Sequence, residues 1–152
     1  MDRVIDLVQA AFDRAAPLKT LRLHGDCHIG NILWTDAGPH FVDLDDTLTG
    51  PALQDLWMLL SGDPALARRE MDLVLSGYER FMNFDDRELA LIEPLRSLRM
   101  VHHSAWLARR WDDPAFKAGF PWFGGAAYWH GQTALLHEQI DAMRETPLGL
   151  PA

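Results

Sequence analysis

The segments "HGDCHIGN" (residues 24–31) and "VDLDD" (residues 42–46) place carboxylates, imidazoles and an amide close together in the chain. A carboxylate such as that of Asp26 can orient a hydroxyl group and accept its proton. The amide oxygen of Asn31 and the carboxylate of Asp43 are hard ligands of the kind that Mg²⁺ takes together with substrate phosphates. These residue types favour phosphoryl chemistry, with Asp26 as the base and with Asn31 and Asp43 as metal ligands.

The segment "HFVDLDDT" also permits a second interpretation. An apolar strand followed by Asp-x-Asp-x-Thr is similar to the first motif of haloacid-dehalogenase phosphatases, in which Asp43 would be the nucleophile and Asp45 would handle the leaving-group proton. Such enzymes carry this motif on the first strand of a doubly wound parallel sheet, with further sites on later strands. Here two candidate strands precede the motif and no convincing strand follows Pro51, so the pattern disfavours a phosphatase without excluding it.

The elements that must position these residues follow from periodicity and from turn residues. Residues 3–15 have an apolar stripe at helical spacing, which predicts a helix. The segment "TLRLHGD" alternates apolar and polar residues like a short strand. The segments "NILW" and "HFVDL" flank the turn "TDAGP", and this arrangement predicts a hairpin from Asn31 to Asp43. Four segments after Pro51 have helical periodicity: "PALQDLWMLLSG", "PALARREMDLVLSGYERFM", "DRELALIEPLRSLRMVHHSAWLARRW" and "AAYWHGQTALLHEQIDAMRE". We expect a bend at Pro94, a loop over "DDPAFKAGFPWFGG" and a loose tail over "TPLGLPA". The predicted fold is a mostly helical α+β single domain, residues 1–152, with a small β unit backed by a helical bundle.

Composition excludes several classes of partner. The 152 residues carry a formal net charge of −8 and no basic cluster, which argues against nucleic-acid binding. No apolar run approaches the ~18 residues that a membrane span needs. The single cysteine, Cys27, suits a reducing cytosol. We therefore expect a cytoplasmic protein, while the oligomeric state is not predicted.

Several motifs resemble one superfamily of kinases. "HGDCHIGNILW" resembles the H-G-D-x-H-x-x-N loop of the aminoglycoside phosphotransferase and choline kinase superfamily, and "FVDLDD" with "GPALQDLWMLL" resembles its metal-binding segment and next helix. Within it, the segments from Leu21 onwards are similar to bacterial stress response kinases of the RdoA type, which are cytoplasmic Ser/Thr protein kinases. The resemblance implies the C-terminal lobe of a protein-kinase-like fold, ATP as donor, Asp26 as base, and Asn31 and Asp43 as Mg²⁺ ligands. The acceptor hydroxyl would belong to a protein, and an aminoglycoside-like or choline-like small molecule stays open.

The resemblance also implies a preceding lobe, with a phosphate-covering loop and a strand lysine. Residues 1–20 contain no glycine-rich strand pair, and Lys19 lies beside the catalytic strand, where it is wrongly placed for that role. We therefore expect the catalytic lobe alone, without the N-terminal nucleotide lobe, with weak nucleotide binding and little turnover. A non-catalytic fragment is a further alternative.

The neighbouring residues have supporting interpretations. His24 is expected to buttress the loop, and His24, Asp26 and His28 form a weak H-x-D-x-H zinc pattern. Asp45 is either a second metal contact or a solvated acid. Asp55 is expected to accept backbone hydrogen bonds from the loop, or else to be a first-turn helix acid.

Cys27 and the tryptophans have simpler interpretations. Cys27 lies beside the expected base, so a nucleophilic role is conceivable, but we expect it merely to fill space. The tryptophans at helical spacing are expected in the core, namely Trp57, Trp106, Trp111 and Trp129. Trp122, in "FPWFGG", is a candidate for an acceptor groove.

Overall fold

The computed structural model describes residues 2–145 and residue 147. Backbone contacts group the chain into two compact units, one formed by residues up to Phe12 with Glu93–Glu145 and the other by Asp13–Ile92. Every candidate site residue except Trp122 lies in the second unit, which is called the site unit below.

Over residues 2–145 the fold is mostly helical, with four short strands near the N-terminal end. In chain order the elements are α1 (Asp2–Ala15), β1 (Leu21–Leu23), β2 (Ile32–Thr35), β3 (Gly38–Phe41), β4 (Leu48–Gly50), α2 (Leu53–Leu56), α3 (Pro64–Tyr78), α4 (Ile92–Arg109), α5 (Pro114–Gly119) and α6 (Ala126–Ala142). Three 3₁₀ turns lie between them, at Ile29–Asn31, Trp57–Leu59 and Asp86–Leu91. None of the described helices combines the length and apolarity needed to cross a membrane.

The strands form two antiparallel pairs. The predicted hairpin is confirmed: β2 pairs with β3, with Ile32 opposite Phe41 and Thr35 opposite Gly38. The third strand ends at Phe41, so Val42 and Asp43 lie beyond it. A second pair, which the sequence did not predict, joins β1 to β4, with Leu23 opposite Leu48. Residues 2–145 contain no parallel pair and no strand after Gly50, so the doubly wound sheet of a dehalogenase phosphatase is not formed there.

The helices α1, α3 and α6 confirm three of the predicted helical segments. Two of the predicted helices are formed over only part of their segments. The segment 51–62 contains only the single-turn α2 and then a 3₁₀ turn, and the segment 86–111 begins as a 3₁₀ turn before α4. Pro94 lies in the first turn of α4, where its missing N–H needs no partner, so the expected mid-helix bend has no cause.

The loop predicted at residues 112–125 contains the short helix α5. Asp113 caps it by accepting a hydrogen bond from the N–H of Ala115, and Pro114 starts it with a preset φ. The same pair of devices, an Asp cap before a proline, starts α3 at Asp63. Apart from Pro147, the tail "TPLGLPA" lies outside the described residues.

Each unit has its own buried apolar side chains. In the first unit Val4, Val8 and Ile140 form a cluster with partly buried neighbours, namely Leu7, Phe12, Leu98, Leu136 and Met143. In the site unit the buried apolar side chains include Leu23, Leu53, Trp57, Met58, Met71, Leu89 and Leu91. Burial of a leucine side chain contributes about 1.5–3 kcal/mol. Burial of Leu23 and Leu53 therefore holds β1 and α2, the two elements that flank the candidate site in sequence.

The tryptophans only partly follow the prediction of core positions. Trp57 is buried as expected, and Trp106 and Trp111 are half-buried. Trp129 is 45% exposed, so its assignment to the core was wrong. Trp122 is also exposed, and its ring contacts the rings of Phe120 and Tyr128.

A buried carboxylate starts helix α2. Glu88 is almost fully buried, and its Oε2 accepts a hydrogen bond from the N–H of Leu53 at 2.9 Å. Burial raises the pKa of Glu88 above its ordinary value, while hydrogen bonds from the backbone of Leu53 and Ala52 oppose the shift. This side chain anchors the helix that carries Asp55.

We expect Glu88 to make the stability of the fold depend on pH. Because its pKa is raised in the folded state, its titration contributes stability that is present below the unfolded-state pKa and is lost as pH rises through the folded-state pKa. In Glu88→Gln this titration is absent. The free energy of unfolding of the parent minus that of the variant should therefore decrease from acidic to neutral pH, as measured by urea denaturation. A difference that grows with pH would contradict this account.

Candidate functional site

Helix α2 holds the loop that follows β1 through the side chain of Asp55. The Oδ2 of Asp55 accepts a hydrogen bond from the N–H of His24 at 2.7 Å, and its Oδ1 accepts one from the N–H of Gly25 at 2.9 Å. Both carboxylate oxygens thus bind consecutive backbone amides, and the hydrogen bonds expected of Asp55 are present. Charged acceptors make such bonds roughly twice as strong as neutral ones.

Gly25 lets the segment after Asp43 approach the loop closely. Its φ is +89°, a region that L side chains rarely adopt. A Cβ at this position would lie 2.0 Å from the carbonyl oxygen of Asp46. The backbone of Asp46 therefore packs directly on the loop, and only glycine fits there.

We expect Gly25→Ala to destabilise the site unit more than a comparable change elsewhere. The left-handed backbone alone costs about 1–2 kcal/mol for an L residue, and the backbone of Asp46 must also move. Gly62→Ala is the matched control, since Gly62 has a φ of +85° and no atom lies within 4 Å of the position that its Cβ would take. Urea denaturation should show a larger loss for Gly25→Ala than for Gly62→Ala. Equal losses in the free energy of unfolding would show that the close approach of Asp46 does not contribute to the effect of Gly25→Ala.

Backbone hydrogen bonds fix the position of Asp26. Its N–H faces Nδ1 of His24 at 3.4 Å, and its carbonyl oxygen accepts from the N–H of His28 at 2.9 Å and from Nδ2 of Asn31 at 3.0 Å. The carboxylate is only 22% exposed, and its Oδ2 lies 3.4 Å from Nε2 of His28. The expected base is thus a half-buried carboxylate on a rigid turn.

Asn31 connects this loop to the end of the hairpin. Its carbonyl oxygen accepts a hydrogen bond from the N–H of Val42 at 3.0 Å, and Nε2 of His24 donates to the carbonyl oxygen of Val42 at 2.9 Å. Val42 directly precedes Asp43, so both ends of the loop hold the residue next to the second expected metal ligand. The predicted role of His24 as a buttress agrees with these contacts.

Asp43 adopts a conformation that few non-glycine residues adopt. Its φ is +62°, in the left-handed region, which Asp and Asn tolerate better than other residues. The residue is exposed at the open end of the hairpin. Backbone strain of this kind concentrates at binding and catalytic sites.

The donor set fits a hard cation such as Mg²⁺. The amide nitrogen of Asn31 donates to Asp26, which leaves its amide oxygen for a cation, and Asp43 supplies a carboxylate. Residues 2–145 contain no group of three or more His, Cys, Asp or Glu side chains that could hold a metal. Mg²⁺ does not require one, because it combines one or two protein oxygens with substrate phosphates and water.

Zinc does not fit the H-x-D-x-H pattern. Both ring nitrogens of His24 are engaged, by Val42 and by the N–H of Asp26, and Nδ1 of His28 accepts a hydrogen bond from the N–H of Gly30. A zinc ligand must offer a free nitrogen lone pair. With both ring nitrogens of His24 engaged, His28 and Asp26 alone are too few ligands for a zinc site, so the contacts disfavour the weak zinc interpretation.

The remaining candidates near the loop have lesser roles. Asp45 and Asp46 are exposed on the turn after Asp43, and Asp46 contributes through its backbone. Burial, together with the negative charges of Asp55 and Asp26, raises the pKa of the buried Cys27 thiol to about 11. Since the thiolate is the reactive form, Cys27 is unsuited to nucleophilic attack at neutral pH.

Comparison with known proteins identifies relatives of this site. The "Phosphotransferase enzyme family" matches residues 2–92, more than half of the chain. Stress response kinase A of Escherichia coli O157:H7 is 58% identical over 130 residues, which are 86% of this chain and 39% of that protein. Serine/threonine protein kinase RdoA of Salmonella typhimurium is 56% identical over 131 residues, which are 86% of this chain and 40% of that protein.

A solved structure has a similar fold. Amicoumacin kinase hAmiN, in complex with AMP-PNP, Ca²⁺ and Ami, superposes with a TM-score of 0.60 at 18% identity, covering 97% of this chain and 46% of that one. The chain spans about two fifths of the length of the curated relatives. The matched family and the kinase relatives together establish that this chain belongs to the phosphotransferase enzyme family.

Proposed function

We propose that the chain is the catalytic lobe of an ATP- and Mg²⁺-dependent kinase that transfers the γ-phosphoryl group to Ser or Thr hydroxyls of proteins. The observation that carries this proposal is the pair of hydrogen bonds in which Asn31 and His24 bind Val42 and thereby link the loop bearing Asp26 to the hairpin end bearing Asp43. The name of the Salmonella relative supports the Ser/Thr acceptor. The AMP-PNP and Ca²⁺ in the amicoumacin kinase complex support a nucleoside triphosphate with a divalent cation.

Each residue of the site has a defined task under this proposal. Asp26 orients the acceptor hydroxyl and accepts its proton, because it is the half-buried carboxylate on the loop. Asn31 and Asp43 hold the metal through oxygen atoms. Bound Mg²⁺ would neutralise charge that develops on the donor phosphates. Asp55 and His24 act through the backbone, by keeping the loop and the hairpin end in place.

A small-molecule acceptor is the second candidate. The amicoumacin kinase is named for such an acceptor, but it shares only 18% of its sequence with this chain. The far higher identity, 56%, to serine/threonine protein kinase RdoA favours a protein acceptor.

The rest of the donor site is proposed to come from an amino-terminal lobe. The curated relatives have about three fifths of their length outside the match. The 152 residues by themselves should therefore bind MgATP weakly. A non-catalytic fragment would also bind MgATP weakly, but it would show no turnover even when the amino-terminal lobe is supplied.

The test is a fusion in which the amino-terminal lobe of stress response kinase A precedes residue 1, called the lobe fusion below. Calorimetry should show weak MgATP binding to the 152 residues and tighter binding to the lobe fusion. Radiolabelled ATP should then label Ser and Thr of a generic acceptor protein rather than an aminoglycoside or choline. Tight MgATP binding by the 152 residues alone would contradict the divided site, and labelling of the small molecules alone would favour the second candidate.

A further inference from the structure

We propose that His28 is a positioning residue, whose imidazole aims the carboxylate of Asp26 at the acceptor hydroxyl. The inference rests on the proposed function, because it acts through the residue assigned there as the base. It extends that function by giving His28 a role distinct from that of His24.

The hydrogen bonds of His28 determine which ring nitrogen carries the proton. Nδ1 accepts a hydrogen bond from the N–H of Gly30 at 3.0 Å, as the cap of the 3₁₀ turn Ile29–Asn31. A neutral imidazole has one donor nitrogen and one acceptor nitrogen. The proton therefore lies on Nε2, which is 3.4 Å from Oδ2 of Asp26. The donor nitrogen thus lies close to the carboxylate, at a separation longer than an ordinary N–H···O hydrogen bond.

Glycine at position 30 keeps the ring in this place. A Cβ on Gly30 would lie 2.8 Å from Cε1 and 2.9 Å from Nδ1 of His28. The missing side chain lets the imidazole lie over the backbone amide. The backbone of the turn therefore fixes the distance between Nε2 and Asp26.

His24 provides the contrast. Both of its ring nitrogens face backbone groups, the carbonyl oxygen of Val42 and the N–H of Asp26, so its role is to hold the chain. His28 uses one nitrogen for the backbone and the other for the carboxylate. Catalytic contacts are commonly long in ligand-free structures and shorten in the reacting complex, which suits a separation of 3.4 Å.

Two substitutions separate the cap from the positioning role. His28→Asn keeps a good cap acceptor for the N–H of Gly30, but its amide ends near the position of Nδ1 and places no donor beside Asp26. His28→Gln carries an amide nitrogen at about the depth of Nε2. In the lobe fusion we expect His28→Asn to lower kcat about 10- to 100-fold, with KM for MgATP and the thermal midpoint unchanged, and His28→Gln to recover most of the lost kcat.

The closing experiment adds Asp26→Asn to this pair and reads the tautomer directly. In the Asp26→Asn background, His28→Asn should cause no further loss of kcat, because the two residues act as one unit. Nitrogen NMR of the 152-residue chain, assigned by comparison with His28→Asn, should show the proton of His28 on Nε2. Parental kcat in His28→Asn, a loss that follows thermal stability, or a proton on Nδ1 would overturn the inference. Near-parental kcat in Asp26→Asn alone would instead overturn the proposed function.

Discussion

Turnover of the lobe fusion is expected to fall about 10²–10⁴-fold in Asp26→Asn, the range typical for loss of a general base. The affinity for MgATP should stay near that of the parent, because Asn31 and Asp43 are unchanged. The substitution keeps the size of the side chain. It also keeps the turn, since the hydrogen bonds that fix residue 26 involve its backbone N–H and carbonyl oxygen.

The measurement is kcat from steady-state phosphorylation, with MgATP affinity from calorimetry on the same preparations. Asp36→Asn serves as the matched control, because Asp36 is an exposed acid in the hairpin turn between β2 and β3 and its loss changes the net charge equally. The control should retain parental turnover. Near-parental turnover in Asp26→Asn would refute the kinase assignment.

The sequence predicted those parts of the site whose partners are close in the chain. The loop from His24 to Asn31 and the hairpin that returns to Asp43 span 20 residues, and a turn rich in breakers sets their register. The fold class was also predictable, since α1, α3 and α6 carry clear helical periodicity. Asp55 lies 31 residues from its partner His24, and this contact was one of two interpretations of Asp55 from the sequence.

The parts that the sequence did not predict depend on distant contacts. Strand β4 has only three residues, and it is a strand because it pairs with β1. Glu88 accepts a hydrogen bond from the N–H of Leu53, which lies 35 residues away in the chain. Such contacts leave no periodicity in the sequence. The same holds for the 3₁₀ turns at Trp57–Leu59 and Asp86–Leu91, where tertiary packing overrides a helical pattern.

Asp43→Asn is expected to weaken MgATP binding as well as turnover. A unit charge about 4 Å from a divalent cation interacts with it by about 2 kcal/mol in water and by about 8 kcal/mol near a protein surface. The loss of this charge should therefore lower the affinity for Mg²⁺ by at least about 30-fold. The fold should not change, because Asn is one of the few residues that tolerate the left-handed backbone found at Asp43.

A magnesium titration of the lobe fusion separates this result from the alternatives. Because the defect lies in metal binding, excess Mg²⁺ should restore part of the turnover of Asp43→Asn, whereas it should not restore Asp26→Asn. The thermal midpoints of parent and variant should agree in the absence of metal. If Asp43 were instead a phosphatase nucleophile, Asp43→Asn would abolish activity at every Mg²⁺ concentration, the parent would form an aspartyl-phosphate at Asp43, and Asp26→Asn would remain active. That pattern would overturn the assignment of Asp43 as a metal ligand.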